Sequence, residues 1–153
     1  MHTRKQGGVA LVVFALILPF LLVLTFTTTE FGRALYEYQV VAKSVRAAAR
    51  YLSTQNVGTH QAEAANLVVY GTIQPGQGAR PLLRNLSIAQ VTSVWGQTTG
   101  TPPLINTVRV GVTGYQFQSI FTTAFGVSFG TVSFSDITAT MRSAFGPVPA
   151  PAP

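Results

Sequence analysis

The chain has 153 residues, a formal net charge of +6, only 9% charged side chains and no cysteine. That length fits one small domain with accessories, and the missing cysteines exclude disulfides and thiolate metal sites. A basic balance can mark a nucleic-acid ligand or an anionic surface, but Arg80, Arg84, Arg109 and Arg142 are scattered and not interleaved with aromatics, so no nucleic-acid partner is expected.

The first eight residues, MHTRKQGG, hold Arg4 and Lys5 and end in two glycines. No Asp, Glu, Lys or Arg then occurs from Gln6 to Thr29, and Val9 to Phe26 is strongly apolar. A spanning helix needs about 20 residues. A signal-peptide apolar region is shorter, about 7 to 15, and ends at a small-residue cleavage site. The sequence that follows, TTTEFGRALYEY, offers no such site. A buried helix of a soluble domain is apolar along one stripe, whereas this segment is apolar all round, as lipid requires. Residues 9–29 are therefore read as a retained transmembrane helix, with Pro19 tolerated as it is in membrane spans. Charge does not orient it, because Arg4 and Lys5 before the segment are balanced by Arg33 and Lys43 after it.

The helical pattern continues. From Glu30 to Leu52 there is no proline, and Phe31, Leu35, Tyr38, Val41, Ala42, Val45, Ala48, Ala49 and Leu52 recur at steps of three and four. The other face carries Glu30, Arg33, Glu37, Lys43, Arg46 and Arg50. One helix from Val9 to Leu52 is predicted, roughly 66 Å long at 1.5 Å per residue, with an amphipathic extension at 30–52. Its stripe must lie on the C-terminal domain or on neighbouring copies. Its basic edge is either solvated or matched to a partner subunit.

Ser53 to His60 breaks the periodicity. QAEAANLVVY, Gln61 to Tyr70, reads as a second helix closed by Gly71, and TIQPGQGARP is turn chemistry. Three strands are predicted: Ile88 to Trp95, Asn106 to Tyr115 and Gly130 to Met141, the last changing phase at Asp136 as a bulge would make it. Between the last two, Phe117, Phe121, Phe125 and Phe129 recur every four residues in QFQSIFTTAFGVSF. They form either a short helix or loop packed on the sheet, or an apolar patch facing a partner. The tail 146–153, GPVPAPAP, is expected to be a disordered polyproline-like strand. The fold class is α+β: a long N-terminal helix against a small antiparallel sheet, with the head at 53–145.

Convergent catalytic groups are scarce. The titratable inventory is His2, His60, four acids and no cysteine. Glu30 and Glu37 stand about 10 Å apart along one helix, and Arg33 between them suggests ion pairs across i, i+3 and i, i+4. No enzymatic activity, cofactor or metal is expected.

A basic leader, a glycine, an apolar helix, an amphipathic extension and a β-rich head form the layout of pilin-like proteins. RKQGGVALVVFALILPF followed by TEFGRALYEYQ resembles the N-terminus of TadE-like pseudopilins of the Tad (Flp, tight adherence) pilus system. The matching positions are Phe14-Ala15-Leu16, Pro19 and Glu30-Phe31-Gly32-Arg33; SVRAAARYLS, ANLVVYG and DITATMRS are also similar to segments of that family. The resemblance implies cleavage by a prepilin peptidase between Gly8 and Val9, a cytoplasmic leader and a head on the periplasmic side of the bacterial inner membrane. It implies minor-pilin work, with the major pilin, other pseudopilins and the inner-membrane assembly platform as partners. Val13, Phe14, Pro19, Glu30, Phe31, Arg33 and Tyr38 would then be helix contacts in the filament or membrane. One departure is that the family's glutamate before Phe-Ala-Leu is Val13 here. That acid is thought to pair with a neighbour's N-terminal amine, so a subunit lacking it suits a filament end. The rival readings are an assembly factor that stays in the membrane and an anchored binding module whose head recognises a ligand.

Overall fold

The computed structural model describes residues 7–98, 105–120, 123–124, 127–128 and 130–145. The leader and the Pro-rich tail lie outside them, apart from Gly7 and Gly8. Helix α1, Gly7–Ser53, is a single element of 47 residues, roughly 70 Å long. It runs through Pro19, which has no N–H to offer the carbonyl of Ala15. Helix α2, Gln61–Tyr70, keeps its predicted bounds. Gly71 closes it in the left-handed conformation at φ 75°, with its N–H on the Leu67 carbonyl, a position that favours glycine because it has no Cβ.

The sheet has three long antiparallel strands: β1, Val91–Thr98, β2, Ile105–Val112, and β7, Ile137–Arg142, in the order β1-β2-β7. Val91 pairs with Val112, and Val112 with Ile137. A one-turn 3-10 helix at Ile88–Gln90 takes the first three residues predicted as strand. The alternation of β2 is real: Val108, Val110 and Val112 are buried while Arg109 faces outward. Gly111 is required by its neighbour, since a Cβ there would lie 2.9 Å from Thr138 Cγ2. The core joins Val41, Val45, Ala48, Ala49 and Leu52 of α1 to Val68 and Val69 of α2 and to the β2 valines. At the far end of α1 the Ala144 N–H closes onto the Ser53 carbonyl at 2.8 Å.

Two expectations are corrected. The phase change at Asp136 is not a bulge; it separates β6, Val132–Ser133, from β7, and the two strands pair with different partners. The segment read as a short helix or loop contains no helix among its described residues. It holds β3, Gln116–Phe117, β4, Thr123–Ala124, and β5, Val127–Ser128. Phe117 pairs with Val132, and Ala124 with Val127. These are two separate two-stranded ladders, β3-β6 and β4-β5, and both fall between β2 and β7 in the chain.

Candidate functional site

The distinctive surface is α1 itself. From Gly8 to Thr29 no residue is buried by the head. Val9 is 71% exposed, Phe14 57% and Val13 49%, and Gly8 sits in the first turn beside Val9. The segment is long and apolar enough to cross a membrane. Its polar atoms are handled internally. The hydroxyls of Thr25, Thr27, Thr28 and Thr29 donate to the carbonyls of Leu21, Val23, Leu24 and Thr25 at 2.8–2.9 Å. A span in lipid needs that self-sufficiency, because no water is there to take the bonds.

The next turns dock the head. The sequence placed Glu30, Arg33 and Glu37 on the solvent face, opposite Phe31, Leu35 and Tyr38. The structure reverses this. Glu30, Ala34, Glu37, Val41, Val45, Ala48 and Leu52 make one continuous stripe at steps of three and four, and it faces the head. Glu30 is buried, while Phe31 is 65% and Leu35 46% exposed.

Burial of the acids is tolerated because each is satisfied. Arg33 Nη1 lies 3.1 Å from Glu30 Oε1 and Nη2 3.4 Å from Glu37 Oε1, the i+3 and i+4 pairs the spacing predicts. The Tyr115 hydroxyl donates to Glu37 Oε2 at 2.6 Å, and the Ile120 N–H donates to Glu30 Oε2 at 3.3 Å. Burial, and then the Glu37 carboxylate, push the Tyr115 hydroxyl well above its ordinary range. The Arg33 guanidinium also covers the Phe117 ring, 5.2 Å from its centroid. Phe117 is therefore core, 2% exposed, and not part of an open patch. The side chains of Phe121, Phe125 and Phe129 lie outside the described residues. Tyr38 meets Phe134 edge-on at 5.6 Å, and Phe134 stacks on Tyr115 at 5.9 Å.

A cleft of ~530 Å³ opens beside this junction, lined by Arg33, Glu37, Arg84, Asn85, Tyr115 and Gln118 among others. Its acid is already engaged by Arg33 and Tyr115, so it offers no free catalytic carboxylate. Among the described residues no three His, Cys, Asp or Glu side chains come together as a metal site. The arrangement is suited to holding a head at a fixed height and rotation on a long apolar helix. Sequence reasoning missed Tyr115 and Ile120 as partners of the two acids. The buried stripe reading on through Glu30 and Glu37 at the spacing of Val41 and Val45 was the one available signal.

The comparison with protein families identifies this same region. The model of the TadE-like protein family matches residues 8–50, the whole bare segment and most of the head-bearing half of α1. Over that stretch the chain is similar to that family. No curated protein matches the chain, and no solved structure does.

Proposed function

We propose that the protein is a pilin-like structural component of a Tad-type pilus, a minor pilin acting in assembly, initiation or tip structure. The observation that carries this reading is the single helix α1. Its first half is bare, apolar and internally satisfied, its second half is the spine of the head, and the TadE-like match runs across the join. A helix of that kind can leave a bilayer and enter a filament core without refolding its head, because the buried core of the head is built on the upper half.

In this reading a prepilin peptidase cuts between Gly8 and Val9 on the cytoplasmic face of the inner membrane. Residues 9–29 then hold the subunit in the membrane with its head in the periplasm. The major pilin, other pseudopilins and the inner-membrane platform are its partners. Val13 removes the acid that would pair with a neighbour's new amine, while the amine of Val9 remains available. A subunit so equipped fits a filament end better than a repeated body position.

N-terminal mass spectrometry of the chain, taken separately from inner membranes and from sheared filaments, tests the proposal. Chains beginning at Val9 in filaments are expected. Uncut chains found only in membranes would sink it and leave an anchored assembly factor. The end position is tested by Val13→Glu. This substitution is expected to raise the number of copies along purified pili, and an unchanged copy number would show that the missing acid does not limit the subunit's place.

A further inference from the structure

The three-stranded sheet ends in two outer strands, β1 and β7, and they are finished differently. The Thr113 N–H donates to the Gln90 carbonyl at 3.0 Å, and the Ser143 N–H to the Asn106 carbonyl at 2.8 Å. These bonds fix the parity of both ladders, because antiparallel pairs alternate between bonded and unbonded positions. On β1, Thr92, Val94 and Gly96 turn their backbone groups to β2. Ser93 and Trp95 turn theirs to the outer edge, where no described residue bonds them. On β7 the outward positions are Thr138, Thr140 and Arg142.

The β7 edge is guarded. Arg142 is one of its outward residues, Asp136 precedes it, and Arg46 of α1 lines the cleft beside it. Charges on an edge discourage an added strand. The β1 edge has no such guard. No Asp, Glu, Lys or Arg occurs from Asn85 to Val108, and no proline within Val91–Thr98. The indole N–H of Trp95 is buried without a hydrogen-bond partner among the described residues. The edge is unfinished in both respects.

A cleft of about 420 Å³ follows this edge. Val91 and Ser93, from the face that carries the core, and Thr92 and Val94, from the other face, all line it. It therefore runs along the strand and not over one face. Its opposite wall is α2, which offers the small side chains of Ala62 and Ala65, and no charged residue lines it.

The slot decides its occupant. Backbone groups presented at every second residue call for an extended chain. A second copy has two edges to offer, and neither fits. Its β7 arrives with its own α1 on the same face. Helix axes need about 8–10 Å where strands need about 4.8 Å, and α2 already fills that place. Its β1 would pair about a two-fold axis normal to the sheet, which turns α1 end for end. Two stems crossing one bilayer in the same sense cannot do this, an exclusion that rests on reading residues 9–29 as a span. A single strand with no helix layered on it does fit.

We propose that the β1 edge is a strand-addition site, and that its occupant is an uncharged extended segment of another protein chain. Antiparallel addition is the more stable form. It places the residues that bond Ser93 and Trp95 on the core face, so aliphatic side chains at those alternate positions lie under Ala62 and Ala65. In the pilus reading the segment belongs to another subunit, but the site does not depend on that reading.

Trp95 is the only tryptophan and reports on the edge directly. The probe is the peptide acetyl-TVSVTVSV-amide, N-methylated on its threonines and serines, which leaves one edge able to pair and prevents self-association. It is titrated into the full chain in phosphatidylcholine nanodiscs. Binding is expected to change Trp95 fluorescence and to slow amide exchange at Ser93 and Trp95 by about tenfold or more. Thr92 and Val94 should be protected already and stay so. The peptide N-methylated at every residue, and one with glutamate in place of valine, should have no effect. Ser93→Pro removes one outward N–H, which an edge strand tolerates, and should abolish the response with Thr92 and Val94 still protected. Unprotected Ser93 and Trp95 overturn the inference, as does equal binding of the fully methylated peptide. Ser93→Cys chains that join to one another by disulfide in vesicles would assign the edge to a second copy. A Ser93 amide that becomes exchangeable on truncation after Phe145 would assign it to residues 146–153. Either result also overturns the inference, and carbonate extraction of the same chain reads the span separately.

Discussion

Residues 9–29 and residues 41–52 are turns of one helix in opposite surroundings. The lower turns are apolar on every side, and none of their residues is buried. The upper turns are apolar on one stripe, and that stripe is sealed: Val41, Val45, Ala48, Ala49 and Leu52 are all fully buried. Both are α-helical, the lower turns lacking only the bond that Pro19 cannot donate, and the larger difference lies in what removes the side chains from water. In the upper half it is the valines of β2 and α2. In the lower half the span reading assigns that role to lipid. A helix divided in this way answers to two different solvents, and substitutions in the two halves should fail in different assays.

The largest expected effect is in the sealed half. Val45→Asp puts an unpaired carboxylate into the core, a change on the order of 3–5 kcal/mol by analogy with breaking a buried ion pair. Near-UV circular dichroism of the detergent-solubilised chain should lose its cooperative melt. Leu16→Asp makes the same change in the bare half. It should leave that melt in place and weaken membrane insertion by about 2.5–3.5 kcal/mol, read by fractionation and carbonate extraction. If Leu16→Asp also destroyed the melt, the independence of the two halves would be wrong.

At the border between them, Tyr115→Phe removes the hydroxyl bond to Glu37, and a hydrogen bond to a charged group contributes about 1.5–3 kcal/mol. The sign of its pH dependence is fixed. The folded-state hydroxyl ionises above its ordinary value near 10, so the neutral form is favoured in the fold. Its contribution is complete below about pH 10 and is lost as pH rises toward the folded value. Chemical denaturation from pH 8 to 11 should show an alkaline fall in the parent that is shallower in the variant. The smallest effect on stability belongs to Phe31→Ser. Phe31 is exposed, so the monomer should change by no more than about 0.5 kcal/mol, while incorporation into filaments should fall. A melt lowered well beyond that amount would return Phe31 to the core of the single chain.

The parts that were legible in sequence are those governed by local periodicity. The α1 span, the bounds of α2 with its Gly71 stop, and the inward valines of β2 follow from spacing alone. The fate of Glu30 and Glu37 was not legible, because patterning assigns charge to water. Their partners, Tyr115 and the Ile120 N–H, lie 78 and 90 residues away in the chain. Phe117 is a similar case. Four-residue spacing of phenylalanines imitates a helix face, yet Phe117 is a strand residue that pairs with Val132 and lies under the Arg33 guanidinium of α1. The change of phase at Asp136 was visible, but its meaning depended on which sheet each side joins, and that is non-local.

The continuity of α1 has a mechanical consequence. No loop or hinge separates the bare turns from the head-bearing ones across Gly7–Ser53, so the bearing of the head around the stem is set by residue count alone. One residue added between Thr29 and Glu30 would turn the head by about 100° and lift it 1.5 Å. Seven added residues would bring the bearing back to within about 20° while raising the head by two turns. The stem works as a keyed shaft, and whatever grips it below also aims the head above.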